Sequence, residues 1–162
     1  MFNLTYEFKL KPTANQVNIF ETWLESCRRV YNYALAERKD FWRSRKCQIN
    51  ACSLQSEYII PADSKRPNYH SQAVALTAYR KTSPSLQAVQ SQVLQQTLKR
   101  LDKAFKSMWE GGYGFPRFKK TGQMRSFVFP QLGKSPLETG AIKLPKIGWV
   151  KMRQSREIPS DC

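Results

Sequence analysis

The feature that most constrains this sequence is a sustained helical period in the residues that follow Ser83 and Pro84. Apolar side chains recur there at three- and four-residue steps until the pair Gly111-Gly112, at Leu86, Val89, Val93, Leu94, Leu98, Leu101, Phe105 and Met108. A serine cap before a proline at the first helical position typically starts a helix, and glycine typically ends one. The pattern predicts one long amphipathic helix over residues 84–110, whose apolar stripe packs into a core rather than around a cofactor.

A second long helix is predicted from the residues after Pro12. Thr13 and Gln16 have the spacing of a capping box, which places the helix start at about residue 14. The same helical period then continues to about Phe41 through Val17, Phe20, Leu24, Cys27, Val30, Tyr31, Ala34 and Leu35. The opposite face carries basic side chains as far as residue 46. We expect the two long helices to pack on each other.

Short β-rich pieces stand at both ends of these helices. The first ten residues alternate apolar and polar side chains, which is typical of a half-buried strand that Pro12 ends. After Gly112, residues 126–129, 141–144 and 149–152 are β-rich and are separated by prolines and glycines. These pieces predict strands of a barrel. The fold class predicted from the sequence is therefore α+β.

Residues 47–82 lack a sustained period, and Pro61, Pro67 and Asn68 interrupt them. We interpret them as a long irregular connection in which residues 72–79 could form two helical turns. The sequence then divides into a first strand over residues 1–12, a helical part over 13–112 that contains the variable connection, and the remaining strands over 113–162.

The charge of the chain indicates its partner. Its 162 residues contain 27 Lys and Arg against 12 Asp and Glu, a net charge of +15, and residues 99–162 carry +9 of it. Such a field favours nucleic acid through neutralisation of phosphates and release of counterions. A membrane surface would require a basic amphipathic helix near lipid anchors. No apolar run approaches the roughly 18–20 residues of a membrane span, and the first residues do not resemble a signal peptide, so we expect a soluble, cytoplasmic protein.

Catalytic and metal-binding patterns are missing from the sequence. The four cysteines, Cys27, Cys47, Cys52 and Cys162, do not have zinc-site spacing, and His70 is the one histidine available to help them. We expect free thiols, with Cys27 in the core, and a surface histidine. The carboxylates are scattered and do not form the cluster that two-metal nuclease chemistry needs. The sequence predicts no catalytic residue, no metal site and no cofactor.

The most informative basic stretch is Gly114-Phe115-Pro116-Arg117-Phe118-Lys119-Lys120. Its glycine and proline keep it out of a helix, so aromatic and cationic side chains alternate on an extended backbone whose amides can also bind phosphate. An alternative interpretation is a solvated basic turn in which Phe115 and Phe118 fill a core. The cations would still need a partner.

Seven ordered stretches together resemble one family, the OrfB/TnpB proteins of insertion sequences, over nearly the whole chain. They are residues 6–13 (YEFKLKPT), 27–35 (CRRVYNYAL), 91–96 (SQVLQQ), 101–105 (LDKAF), 114–120 (GFPRFKK), 144–151 (LPKIGWVK) and 156–159 (REIP). Family members are transposon-encoded, RNA-guided DNA nucleases related to type V CRISPR effectors. The resemblance implies a wedge-like β-barrel that is interrupted by an inserted helical recognition lobe. Older descriptions call the first helical segment a helix-turn-helix DNA-binding domain.

The resemblance also implies what this chain binds and what it does not do. The family's RuvC-like nuclease domain should follow the barrel, so we expect these residues to grip guide RNA and target DNA without a nuclease centre of their own. Such a chain would be a fragment, a decayed gene product or a separated binding part, with an incomplete barrel. The alternative is a protein-interaction module whose barrel docks on a partner chain that supplies the missing nuclease domain.

The nucleic-acid-binding residues that we predict lie in the family motifs and in the basic stretches. Arg117, Lys119, Lys120 and Arg125 are the first choices. The remaining candidates are Arg28, Arg29, Tyr31, Asn32, Gln92, Gln96, Lys146 and Lys151.

Overall fold

The structure, a computed structural model, describes residues 5–46 and 60–157. In chain order the elements are β1 (Lys9–Lys11), α1 (Ala14–Lys46), α2 (Tyr69–Arg80), α3 (Pro84–Ala88), α4 (Ser91–Gly111), β2 (Leu137–Glu138), β3 (Ala141–Leu144) and β4 (Gly148–Arg153). None of the four helices in these residues has the length and apolar character needed to cross a bilayer.

Helix α1 begins where the sequence predicts. The backbone N–H of Thr13 donates to Gln16 Oε1 at 3.0 Å, and the backbone N–H of Gln16 approaches Thr13 Oγ1 at 3.4 Å, which is the predicted capping box. The helix then continues for 33 residues to Lys46. Three basic residues in its last turn, Arg43, Arg45 and Lys46, interact favourably with the negative end of the helix dipole.

The prediction of one helix over residues 84–110 was wrong, because the chain breaks between α3 and α4. Val89 and Gln90 are extended, and the Gln90 side chain accepts a hydrogen bond from Val93 N at 3.0 Å, so it caps α4. The break allows the fully buried Val89 to enter the core, while Arg80 donates to the carbonyls of Leu86 and Val89 at 3.0 Å. Side-chain donors thus satisfy backbone groups that a continuous helix would have paired.

The end of α4 and the helical turns of the connection were predicted more accurately. Helix α4 ends at Gly111, and Gly112 takes the left-handed conformation with φ +66°, which glycine adopts without strain. Helix α2 is longer than the two turns predicted, because Asn68 and Ser71 form a capping box that starts it at Tyr69. Residues 47–59, with Cys47 and Cys52, lie outside the described residues, as does Cys162.

The strands form one antiparallel sheet in the order β1-β4-β3-β2. Of the predicted strands, residues 141–144 are confirmed and 149–152 lie within β4, but the first strand is confined to Lys9–Lys11 within the described part of residues 1–12. Residues 126–129 are not a strand, because Phe127 and Phe129 pack on Trp23 of α1 instead of pairing with a neighbouring backbone. Strand β2 was not predicted. Over the described residues the sheet is open, and its closure into a barrel stays a prediction.

The main core lies between the helices. Side chains from α1, α3 and α4 bury one another there, and Phe127, Phe129 and Ile147 pack against this cluster from outside. Cys27 is a free thiol in the core, as expected, and burial raises its pKa. The sheet is tied to the helices by polar contacts, including Gln16 Nε2 to Trp149 O at 2.8 Å.

Candidate nucleic-acid interface

The candidate site is built on residues 114–125, which we name the basic segment. It leaves α4 after Gly112, and together with residues 126–129 it runs antiparallel to α1. Phe118 lies against Lys39, Lys119 against Asn32, and Phe127 against Trp23 and Phe20, so rising numbers in one element meet falling numbers in the other. The sequence of the segment excludes a helix, and α1 provides the surface that orders it.

The backbone of the basic segment is clamped to α1 at Lys119. Asn32 Nδ2 donates to Lys119 O at 2.9 Å, and Lys119 N donates to Asn32 Oδ1 at 2.8 Å. Arg28 Nη1 also donates to Lys119 O, at 3.1 Å. The Asn32 amide therefore pairs with both backbone groups of one residue, as a neighbouring strand would do. In this structure Asn32 and Arg28, both predicted nucleic-acid contacts, position the basic segment.

Contacts with the helical core anchor the rest of this stretch. Phe115 packs edge-on against the buried Phe105 with ring centroids 5.5 Å apart, and Met124 is buried in the helical core. With Met124 buried, Phe115 resting on Phe105 at 39% exposure and Lys119 held by its backbone, the side chains of Arg117, Lys120 and Arg125 are exposed. The alternation of anchors and cations explains why a segment without secondary structure presents a defined charged surface.

A tight turn brings the later cations of the segment together. Lys120 N donates to Gln123 Oε1 at 2.8 Å, Gln123 N donates to Lys120 O at 3.0 Å, and Gly122 between them has φ +77°. A residue with a Cβ would be strained at that φ. The turn encloses a shallow cleft of about 520 Å³ that is lined by Arg117, Phe118, Lys119, Lys120, Gln123 and Arg125.

The structure separates the predicted cations into those paired with a carboxylate and those without such a partner. Glu25 Oε1 lies 2.6 Å from Arg28 Nη2 and 3.0 Å from Arg29 Nε. The hydrogen bond from Arg28 and the charges of both arginines outweigh desolvation and lower the pKa of Glu25 to about 2. Among the described residues, no carboxylate forms a salt bridge with the cations that line the cleft. The cations that line the cleft are therefore available to an anion.

Two further contacts connect the cleft with the aromatic residues of the chain. Lys119 Nζ lies 5.8 Å from the ring centroid of Tyr31. Tyr31, a predicted nucleic-acid contact, is only 3% exposed, so it supports Lys119 and does not itself face solvent. Lys39 Nζ lies 5.2 Å from the ring centroid of Phe118. Lys39 was missed by the sequence prediction, although it stands seven residues after Asn32 and so shares its helical face. That spacing was the available signal.

The remaining predicted residues lie away from the cleft. On α4, Gln92 donates to the side chain of Gln131 at 3.0 Å, and Gln96 is half-buried. Lys146 donates to Gln87 O in α3, and Lys151 is exposed on β4. The structure thus brings together six of the predicted residues, Arg28, Asn32, Arg117, Lys119, Lys120 and Arg125, at the cleft. Gln92, Gln96, Lys146 and Lys151 lie elsewhere. That any of these residues contacts nucleic acid stays a prediction.

Sequence reasoning also missed a buried arginine behind the site. Arg38 is 4% exposed, donates to Gln72 Oε1 at 3.0 Å, and forms a 3.0 Å ion pair with Asp102. Its guanidinium carbon lies 5.1 Å from the centroid of Phe105. Arg38 thus links α1, α2 and α4 beneath the ring that anchors Phe115. Its counter-ion Asp102 lies within the LDKAF motif, but its burial could not be deduced from spacing.

Side chains suited to bind a metal ion are not gathered in the described structure. Within residues 5–46 and 60–157, no set of three or more His, Cys, Asp or Glu side chains is placed to hold a metal ion. His70 is exposed at the start of α2, as predicted. The chemistry that the site offers is therefore cationic and aromatic.

Comparisons with known proteins agree with the motif order. Residues 1–47 match the helix-turn-helix domain designated OrfB_IS605. The chain is 32% identical over 153 residues to the putative RNA-guided DNA endonuclease InsQ of Escherichia coli (strain K12), an alignment that covers 94% of this chain and 34% of that protein. The chain thus spans about a third of the length of this curated relative. Within the matched segment, the described residues form strand β1 and one uninterrupted helix, α1.

Proposed function

Because this chain belongs to the OrfB/TnpB family of transposon proteins, we propose that it is a nucleic-acid-binding part of such a protein. In this proposal the basic segment grips structured guide RNA and the RNA–DNA heteroduplex. Phosphate position and helix shape are read there, and base edges are not, because exposed Arg and Lys side chains on an extended backbone suit phosphates. The description of the E. coli relative as a putative RNA-guided DNA endonuclease supports this choice of ligand.

The observation that carries the proposal is the clamp at Lys119. Asn32 and Arg28 hold the backbone of Lys119, so Lys120 and Arg125 are placed before any ligand arrives. A preordered array avoids part of the entropy cost of binding. The free cations of the cleft and the paired state of Arg28 and Arg29 together make the cleft the strongest candidate for phosphate contact.

Salt dependence tests this proposal directly. The variant Lys120→Ala with Arg125→Ala removes two cations from the cleft, and Lys103→Ala with Lys134→Ala removes two exposed cations that do not line it. Each lost phosphate contact lowers the magnitude of the slope of log affinity against log salt by about 0.7–0.9, so the first variant should lower it by up to about 1.8. The matched control should change the slope much less. Equal slopes for the two variants would refute the cleft as the phosphate site.

The mode of recognition requires a second measurement on the same proteins. A hairpin RNA and a duplex of the same length, each in two unrelated sequences, should show affinities that depend on structure and little on sequence. A strong preference for one DNA duplex sequence would instead point to base readout in a groove, and would contradict the proposed RNA and heteroduplex ligands.

We expect binding without cleavage from these 162 residues. The resemblance places the metal-binding acids of the family in a RuvC-like domain that follows the barrel. The chain incubated with its element's RNA, magnesium and a matching DNA target should leave the DNA intact, and metal-dependent cutting would overturn this expectation.

A second candidate function is supported by the open sheet. Strands β1 and β2 form its two edges, and they carry the exposed apolar side chains Leu10 and Leu137. An unpaired edge can accept a strand from another chain, so the sheet could dock on a partner that completes it. Sedimentation separates the two functions. A monomer that binds RNA at physiological salt favours the first, and a stable complex with a protein chain through residues 126–157 without nucleic acid favours the second.

A further inference from the structure

A layered group of aromatic and cationic side chains lies at the C-terminal ends of α1 and α4, outside the cleft. The guanidinium carbon of Arg66 lies 4.1 Å from the ring centroid of Trp109 and 5.6 Å from that of Trp42. Lys46 Nζ lies 5.4 Å from the Trp42 ring. We name Trp42, Lys46, Arg66 and Trp109 the tryptophan cluster. Trp109 remains 48% exposed in this arrangement, which is unusual for so large an apolar side chain.

We propose that the tryptophan cluster is a stacking site for unpaired bases of single-stranded nucleic acid. The inference rests on the proposed function and names a ligand feature that the cleft does not provide. Bases stack on indole rings, so the exposed part of Trp109 offers a stacking surface. Arg66 and Lys46 also supply charge for the phosphates that flank a stacked base.

The cluster adjoins the basic segment through shared packing. Trp109 lies 5.6 Å from Phe105, and Phe115 of the basic segment lies 5.5 Å from the same ring. Phe115 stands three residues before Phe118, which lines the cleft. In the proposal, a strand whose phosphates occupy the cleft extends toward Trp109. The cluster then acts as an aromatic continuation of a cationic surface, as in proteins that bind single strands.

Charge favours this ligand over an apolar protein surface. An apolar partner would cover Arg66 and Lys46 without neutralising them, and burying unpaired cations is costly. The neighbouring carboxylate Glu110 already faces a cation, Lys106, with its Oε2 3.8 Å from Nζ. A polyanion with flat faces satisfies both the indoles and the cations of the cluster.

The test uses conservative variants of the full chain, so that folding is preserved. Trp109→Leu keeps an apolar contact with Phe105 but removes the aromatic face, whereas Trp109→Phe keeps a face. Trp149→Leu is the matched control, because Trp149 is a partly exposed tryptophan on β4 that also carries a cation, Lys143, 5.7 Å from its ring. Fluorescence anisotropy measures the affinity of each variant for a labelled uridine oligomer of about ten nucleotides and for an RNA duplex.

Loss of one stacked base predicts a specific pattern of affinities. Trp109→Leu should raise the Kd for the single strand by roughly 5- to 100-fold while the duplex Kd changes little, and Trp109→Phe should retain most of the single-strand affinity. Trp149→Leu should resemble the unaltered chain. Equal single-strand affinity for Trp109→Leu and Trp149→Leu would overturn the stacking site, as would equal losses for single strand and duplex.

The same variants separate a failure of the stacking site from a failure of the proposed function. If the cleft does not bind phosphates, the Lys120→Ala and Arg125→Ala variant keeps its salt slope regardless of Trp109. If only the stacking site is wrong, that variant loses slope while Trp109→Leu binds normally.

Discussion

The helices and the sheet of this chain are stabilised by different means. The helices bury Leu94, Leu98, Leu101 and Phe105 of α4 against α1 in a continuous core. The sheet buries Leu144, Val150 and Met152, which lie outside that core. Its links to the helices include two long-range side-chain hydrogen bonds, from Gln16 to Trp149 and from Lys146 to Gln87. We therefore expect the helical part to be the more stable unit of the described structure and the sheet to depend more on its surroundings.

The difference has a backbone origin. Helix backbones pair within themselves, so α1 and α4 need only a partner for their apolar faces. A sheet pairs backbones between strands, and β1 and β2 each leave one edge unpaired in the described structure. The basic segment belongs to the helical side of this comparison, because its anchors are Asn32, Phe105 and the helical core.

Amide hydrogen exchange should reveal the largest contrast between the two parts. Residues 93–105 of α4 should exchange only through global unfolding, whereas residues 142–152 should exchange through local opening with a much smaller free energy. Mass spectrometry or NMR of the full chain would measure both. Stronger protection across 142–152 than across 93–105 would show that the sheet is the more stable part and reverse the comparison.

Truncation of a core leucine should give the next largest effect. Leu98 is 2% exposed, so Leu98→Ala should lower the free energy of unfolding by about 2–5 kcal/mol, enough to unfold a marginal domain. The matched change Leu137→Ala, at a 41% exposed position of β2, should cost about 0.5 kcal/mol or less. Urea unfolding followed by circular dichroism compares them, and similar costs would mean that β2 contributes to the core.

The clamp offers a smaller, local test of how the basic segment joins the helices. Asn32→Ala leaves Lys119 N without its acceptor and should cost about 1–3 kcal/mol. Exchange of amides 115–125 in the free protein should speed up while α4 stays protected, and nucleic-acid affinity should fall. Asn18→Ala, at an exposed position of the same helix, α1, is the control. Unchanged exchange in 115–125 would show that the anchors Phe115 and Met124 suffice.

The smallest effect concerns the ion pair on α1. The pKa of Glu25 falls from 4.5 to about 2 on folding, so its contribution to stability is complete above pH 4.5 and is lost as pH falls toward 2. Solvent screening limits this contribution to about 1 kcal/mol. Glu25→Gln should therefore destabilise the chain at neutral pH and match the unaltered chain near pH 2. A constant difference across this range would exclude the ion pair as its source.

Local signals predicted the helical part well. The capping box at Thr13 and Gln16, and the glycine that ends α4, act within one turn of backbone, so residue spacing alone identifies them. The break at Val89 and Gln90 has no such signal. It depends on Arg80, which reaches from α2 to the carbonyls that the break exposes. The strand predicted over residues 126–129 was wrong for a related reason. A β-rich composition does not distinguish residues that pair with a neighbouring strand from residues that pack on a helix, as Phe127 and Phe129 do on Trp23.

The sequence predicted which residues form the candidate site but not the contacts that hold them in place. The stretch from Gly114 to Lys120 predicted a non-helical basic surface. In the structure Arg117, Lys120 and Arg125 do line one cleft. The sequence did not show that Asn32 would clamp Lys119, that Lys39 would face Phe118, or that Arg66 would lie between two tryptophans. Each of these contacts joins residues more than twenty positions apart.

What the sequence by itself determined is therefore local: where α1 begins, where α4 ends, which helix faces are apolar, and how much positive charge the chain carries. Only the tertiary structure decided which charges are free. Glu25 pairs with Arg28 and Arg29 through the helical spacing of α1, but the exposure of Lys120 and Arg125 requires the chain to fold back on that helix. The physical reason is that capping and periodicity act within a few residues, whereas a charged surface is defined by what packs beneath it.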